Sequence, residues 1–105
     1  MNREIPAAIV YEDDLCLAFK DINGQAPVHI LLIPKKEIPT MNDVRSSDQA
    51  ILGHLLLKAP EIAKAQGVAE TGYRLVVNTN SDASQSVQHI HIHIIGGRKM
   101  TWPPG

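Results

Sequence analysis

Between Val87 and Ile95 the chain alternates polar and apolar positions with unusual regularity, through Gln88, His89, Ile90, His91, Ile92, His93 and Ile94. A period of two belongs to a strand. It sends the three isoleucines to one face and the three histidines to the other. Gly96 and Gly97 end the run. Tyr73 to Asn78 alternates in the same way, and Thr79 to Ser86 between the two is a polar loop. Upstream, Ile9 to Glu12 and Leu15 to Lys20 read as strands of a hairpin turning at Asp13 and Asp14. Asn23, Gly24 and Pro27 mark a loop over Asp21 to Pro27, and Val28 to Ile33 reads as a buried strand stopped by Pro34. Lys35 to Arg45 is polar and irregular.

One stretch changes period. Ile51, Leu52, Leu55, Leu56, Ala59, Ile62 and Ala63 recur at helical spacing, Ser46 and Gln49 have the spacing of a capping box, and Gly67 is placed to stop the helix. Pro60 lies inside the pattern and predicts a kink or a split. The tail from Lys99 to Gly105 is too rich in proline for regular structure, and Trp102 within it is expected to pack on something. Five strands in hairpin-like order with one principal helix predict an α+β fold, a mainly antiparallel sheet with the helix on one face.

Composition narrows the class. A chain of 105 residues fits one domain, taken as residues 1–105. With 44% hydrophobic residues, 20% charged residues and a net charge of -1, it has neither the basic patch of a nucleic-acid binder nor an apolar run near the ~20 residues of a membrane span. The single cysteine, Cys16, has no intramolecular disulfide partner, and the N-terminus does not resemble a secretion signal. A reducing, cytoplasmic setting is expected. With one Trp, one Phe and two Tyr, the core must rest on aliphatic residues, so sharing apolar surface in a homodimer would help a domain of this size.

The histidine face admits three readings. Isolated histidines in strands are usually packed or surface residues, but an incidental origin would scatter or expose three of them rather than hold them in register. Histidine pairs on a strand can also chelate zinc, although no Cys lies nearby, the strand offers no acidic residue, and the closest in sequence is Asp82. The third reading is nucleophilic attack on phosphorus. Neutral imidazole, with a pKa near ~6.5, needs no metal for this. A second ring then holds the tautomer or bonds phosphoryl oxygens, and the loop Ser81 to Ser86 supplies hydroxyl, amide and main-chain donors.

The run His89-Ile90-His91-Ile92-His93-Ile94-Ile95 resembles the histidine triad pattern. The likeness to the Hint branch of that family extends over Arg3 to Pro6, Tyr11 to Asp14, Ala18 to Ile22, Gln25 to His29, Ile33 to Lys36, Gly72 to Arg74, Gly96 to Arg98 and Trp102 to Gly105. The resemblance implies a homodimeric purine nucleoside phosphoramidase, without cofactor or metal, that cleaves the P–N bond of adenosine 5′-phosphoramidates through a nucleotidyl-histidine. A nucleotide-binding or protein-interaction module with little turnover is the runner-up, and a metal-binding module comes third.

Carried over by position, the resemblance makes His91 the nucleophile and puts His93 at the phosphate or bridging atom, with His89 and His29 supporting a relay behind them. It implies that Ser86 assists the leaving amine, that Asp21 binds the ribose hydroxyls and that Phe19 and Ile22 lie beside the base. Asn78, Ser84 and Gln85 match contacts on the phosphate and sugar sides, and Trp102 matches a tail that reaches toward the partner's site. On their own residues, Asp21 reads as a turn start, Asn78 as a strand end, Phe19 and His29 as core, Trp102 as cover for an apolar patch and His54 as a solvated helix residue. The chain departs from the family pattern at Ala83-Ser84, where two glycines are common, at Glu37 and Gln88, and before Arg3, where an apolar segment is usual.

Overall fold

The computed structural model describes residues 8–105, so the expectations for Arg3 to Pro6 and for the residues before them lie outside it. The strands are β1 (Ile9–Glu12), β2 (Cys16–Lys20), β3 (Val28–Pro34), β4 (Tyr73–Val76) and β5 (Ile92–Gly96); helix α1 (Gln49–Ala65) falls between β3 and β4. They form one sheet in the order β1-β2-β3-β5-β4, with every neighbouring pair antiparallel. This is the α+β arrangement that the periodicities predict.

Because side chains alternate across a strand, the two sheet faces have different fates. Cys16 and Ala18 of β2, Ile30 and Leu32 of β3, and Ile92 and Ile94 of β5 pack with Leu55, Ala59, Ile62 and Ala63 of α1. Burial of each larger aliphatic side chain there contributes about 1.5–3 kcal/mol. The opposite face carries a smaller cluster of Leu17, Phe19 and Ile33 with Leu31 against it. The helix covers the first face and leaves the second uncovered by any helix among the described residues.

The β1–β2 turn is closed by Asp13, whose Oδ1 accepts from the main-chain N–H of Leu15 at 2.8 Å and of Cys16 at 2.9 Å. Those groups are thereby engaged in the turn, and β2 begins at Cys16 rather than Leu15. The other oxygen of Asp13 accepts from the Tyr11 hydroxyl at 2.7 Å and meets His54 Nε2 of α1 at 2.6 Å. His54 is therefore not the solvated residue its helical position suggests; it pins α1 to the first hairpin. Burial works to raise the Asp13 carboxyl, but these four hydrogen bonds outweigh it and hold the group well below the usual carboxylate range.

The helix start also differs from expectation. A 3₁₀ turn over Ser46–Asp48 precedes α1, and buried Asp48 takes the place of the expected Ser46–Gln49 box. Its carboxylate accepts from the Arg45 N–H at 2.9 Å and pairs with Lys36. Pro60 neither splits nor ends the helix. Leu56, whose carbonyl loses its usual partner to Pro60, lies on the exposed side, where water can serve it. Gly67 does terminate the helix: at φ +81° its N–H reaches the Lys64 carbonyl and Val68 N–H reaches that of Ala63. Strand β4 stops at Val76, two residues short of Asn78. Trp102 is 80% exposed, with the Arg74 guanidinium 5.7 Å above its ring, rather than packed on an apolar surface. Among the described residues no helix is long and apolar enough to cross a membrane.

Candidate active site

The histidines do not all ride on one strand. Ladder pairing of β5 begins at Ile92, opposite Leu32, so only His93 belongs to the strand, and His89 and His91 lie on the segment leading into it. The reason is that this segment's polar groups have other partners. Ile90 N–H bonds the Ile38 carbonyl at 2.8 Å, and the His89 ring bonds the Pro34 carbonyl at 2.8 Å. Alternation survives outside the ladder: Ile90, Ile92 and Ile94 are buried while His91 and His93 remain partly exposed.

Hydrogen-bond partners fix where the protons sit, because a ring nitrogen facing a carbonyl must donate. His91 Nδ1 lies 2.8 Å from the His89 main-chain oxygen, so Nδ1 holds the proton and Nε2 keeps its lone pair. His89 Nε2 likewise donates to Pro34. His29, buried on β3, meets His93 with Nε2 to Nδ1 at 2.8 Å. Of the two rings expected to support a relay, His29 backs His93 directly, while the His89 ring donates to the Pro34 carbonyl. The His91 and His93 rings stand edge to face, with centroids 4.8 Å apart.

Charge enters through Asp21, at the end of β2, whose Oδ2 lies 3.5 Å from His29 Nε2 and whose Oδ1 accepts from Asn23 N–H at 2.8 Å. Burial lowers the pKa of His29 against the opposing pull of Asp21. His93 is pushed down to about 4, first by burial and then by the neighbouring His91 and His29, with Asp21 again opposing. Both rings are neutral at pH 7. His93 Nε2 is the one buried side-chain polar atom among the described residues that has no hydrogen-bond partner. An unmet buried group costs about 1–3 kcal/mol, a deficit that a bound acceptor would remove.

These groups line a cavity of about 490 Å³ together with Phe19, Ile22, Leu31, Ile33, Ser86 and Val87. Ile22 and Val87 are exposed, giving the cleft an apolar rim beside its histidine floor. Of the residues expected in the site, His29, His89, His91, His93, Ser86, Phe19, Asp21 and Ile22 are brought together. Asn78, Ser84 and Gln85 are not among the lining residues. Gln85 instead braces the preceding loop, accepting from Asn80 N–H and donating to the Pro39 and Val87 carbonyls. Ser84 adopts a left-handed conformation, φ 62°, where glycine would be unstrained.

Among the described residues the three histidines of the run do not bring their ligand atoms together; the groups that do are Asp13, Cys16 and His54, and Asp21, His29 and His93. In each group the ligand atoms lie within 4.8 Å of one another. A cation at the second would have to break the 2.8 Å bond between the two rings, so its residues fit a hydrogen-bonded relay better than a metal. Sequence reasoning missed Lys20, Asn23, Gln25, Leu31, Ile33 and Val87 as lining residues. The last three read as ordinary apolar positions, and Gln25 acts through its main chain, which carries no compositional signal.

Residues 2–100 match the HIT domain. The chain belongs to the HIT family. It is 59% identical over 105 residues to an uncharacterized HIT-like protein of Synechocystis, covering 100% of this chain and 91% of that one. It is 52% identical over 100 residues to the purine nucleoside phosphoramidase of Escherichia coli, covering 95% and 84%. A solved HIT family hydrolase from Legionella pneumophila superposes with a TM-score of 0.94 at 56% identity, over 97% of this chain and 91% of that one. Antiparallel five-stranded sheet and single main helix are therefore the HIT fold, which sets the cavity on the helix-free face.

Proposed function

We propose that this HIT protein is a hydrolase that cleaves the P–N bond of adenosine 5′-phosphoramidates by way of a nucleotidyl intermediate on His91. The observation that carries the reading is the His91 ring: Nδ1 is tied to the His89 carbonyl, so the free lone pair is on Nε2, at a cavity that also holds an unpartnered nitrogen of His93. Similarity to the Escherichia coli phosphoramidase supports the choice of bond.

In this reading the Nε2 lone pair of His91 forms a bond to phosphorus while the P–N bond breaks. The amine departs with the electron pair and takes a proton from water. In the second step a hydroxyl oxygen from water bonds phosphorus, the His91–phosphorus bond breaks, and AMP and the neutral ring are restored. The His89 carbonyl stabilises the cationic phosphorylated ring through the Nδ1–H. Asp21 receives the ribose hydroxyls, Phe19 and Ile22 flank the purine, and Ser86 stands at the leaving-group side. Asn78, Ser84 and Gln85 lie outside the cavity lining and are given no direct contact with substrate in this reading.

A homodimer completes the proposal. Strand β4 is a sheet edge, and exposed Leu56 and Val77 line a small apolar hollow of about 120 Å³ with Leu52 and Ile90. A second copy would cover both. The reducing cytoplasm suits a chain whose only cysteine is buried.

Incubation with adenosine 5′-phosphoramidate should release AMP, and intact-mass analysis of quenched protein should find a nucleotidyl adduct mapping to His91. His91→Ala should lose both. Tight AMP binding with no hydrolysis of any phosphoramidate would overturn the proposal in favour of a nucleotide-binding module.

A further inference from the structure

The loop between β2 and β3 makes a contact that decides the proton inventory of the site. Gln25 N–H points at His29 Nδ1 across 3.0 Å. A nitrogen receiving a main-chain N–H cannot carry a proton of its own, so the His29 proton must be on Nε2. That Nε2–H has one close acceptor, His93 Nδ1 at 2.8 Å, which obliges His93 in turn to carry its proton on Nε2. Each ring inherits its tautomer from the one before. The series starts at a main-chain amide that does not ionise and ends at the unpartnered His93 Nε2.

We propose that Gln25, through its main-chain N–H, is the positioning residue that holds His29 and His93 as neutral Nε2–H tautomers, making His93 a fixed hydrogen-bond donor and not a proton-carrying imidazolium. The inference rests on the phosphoramidase reading only for what accepts from His93, namely a phosphoryl oxygen or the departing nitrogen. If neutral His93 gave up its Nε2 proton, it would become an imidazolate or pass that anion to His29, beside Asp21. The proton that the amine acquires therefore comes from water, and His93 contributes an oriented donor that stays protonated throughout.

The groups around the pair fit this assignment. Asp21 is the one carboxylate in contact with either ring among the ion pairs of the described residues, and it favours a cation. Burial and the proximity of three rings oppose it. Gln25 is itself braced: its side chain donates to the Asn23 carbonyl at 3.0 Å, and its own carbonyl accepts from Arg98 Nε at 2.9 Å. The loop is thus held at both ends of the residue whose amide does the work.

The test is nitrogen-15 NMR of histidine-labelled wild-type protein at pH 7, which reads ring tautomers directly. His29 and His93 should both appear as neutral Nε2–H forms, and His91 as the Nδ1–H form. A cationic His93, or Nδ1–H on His29, would overturn the inference without bearing on whether phosphoramidates are hydrolysed. Gln25→Pro removes the amide hydrogen; Gln25→Ala keeps it and removes only the side chain. The proline variant should allow a proton onto His29 Nδ1, raise the pH at which that ring titrates, and lower kcat by roughly 10²-fold, the size of effect seen when one oriented donor is lost. The alanine variant should keep the wild-type tautomers and the wild-type titration of His29, because the main-chain amide that sets them remains. Wild-type tautomers and titration in a folded proline variant would also overturn it; if that variant does not fold, the wild-type spectrum alone decides.

Discussion

At the scale of single residues, the site is governed by which nitrogen holds a proton and what each ring faces. His89 and His91 are two positions apart, yet their rings do different things. His91 turns a free lone pair toward the cavity while the His89 ring is bonded to a strand carbonyl. His91 depends on residue 89 only through a main-chain oxygen, which substitution does not remove. His89→Ala should therefore leave a measurable fraction of the turnover that His91→Ala abolishes. It should also destabilise the fold by about 1–3 kcal/mol in urea unfolding, because the Pro34 carbonyl loses its donor. Acid should act through His93. Its folded-state pKa of about 4 lies below the ordinary 6.5, so the unfolded chain binds more protons between those values. The stability this ring contributes is complete above pH 6.5 and is lost as pH falls through 4. Unfolding midpoints measured across that window should fall with pH, and His93→Gln should flatten the slope.

At the scale of elements, two short-range devices align the sheet with the helix. The Asp13 carboxylate closes the first hairpin and reaches His54 on α1, so one side chain joins three elements. His54→Ala should lower stability by about 1 kcal/mol without touching turnover, because the pair lies on the helix side of the sheet and is not fully buried. Asp13 has a depressed carboxyl, so its contribution is present above the unfolded carboxylate range and is lost as pH drops below it. The helix end supplies the second device. At φ +81° Gly67 meets no atom within 4 Å where a Cβ would be added, so Gly67→Ala carries the left-handed backbone penalty alone. A loss of about 1 kcal/mol in thermal or urea unfolding is expected. Element boundaries were the least legible feature of the sequence. The alternation through His89 and His91 is real, but strand identity needs a hydrogen-bonded neighbour, and the carbonyls of Pro34 and Ile38 claim those groups first.

At the scale of the whole molecule, the sheet is covered by α1 on one face, bears the cavity on the other and ends in β1 and β4 at its edges. The proposed homodimer puts β4, Leu56 and Val77 in contact with a second copy. Wild-type protein should sediment at twice the 11.5 kDa chain mass at micromolar concentration, and Leu56→Glu, placing a charge in that contact, should shift it toward monomer. By itself the sequence determined the fold class and the buried isoleucine face, because hydrophobic period and residue type are local properties. The likeness of whole segments to a known family named Phe19, Asp21, Ile22, His29 and Ser86 together, and the fold brings them to one cavity. Only the tertiary structure decided that His29 backs His93, that His54 is tied to Asp13, that Trp102 stands exposed, and that a main-chain amide at Gln25 reaches the relay. Those contacts join main-chain and ring atoms across strands, and their directions depend on sheet register and loop path, which no periodicity along one chain encodes.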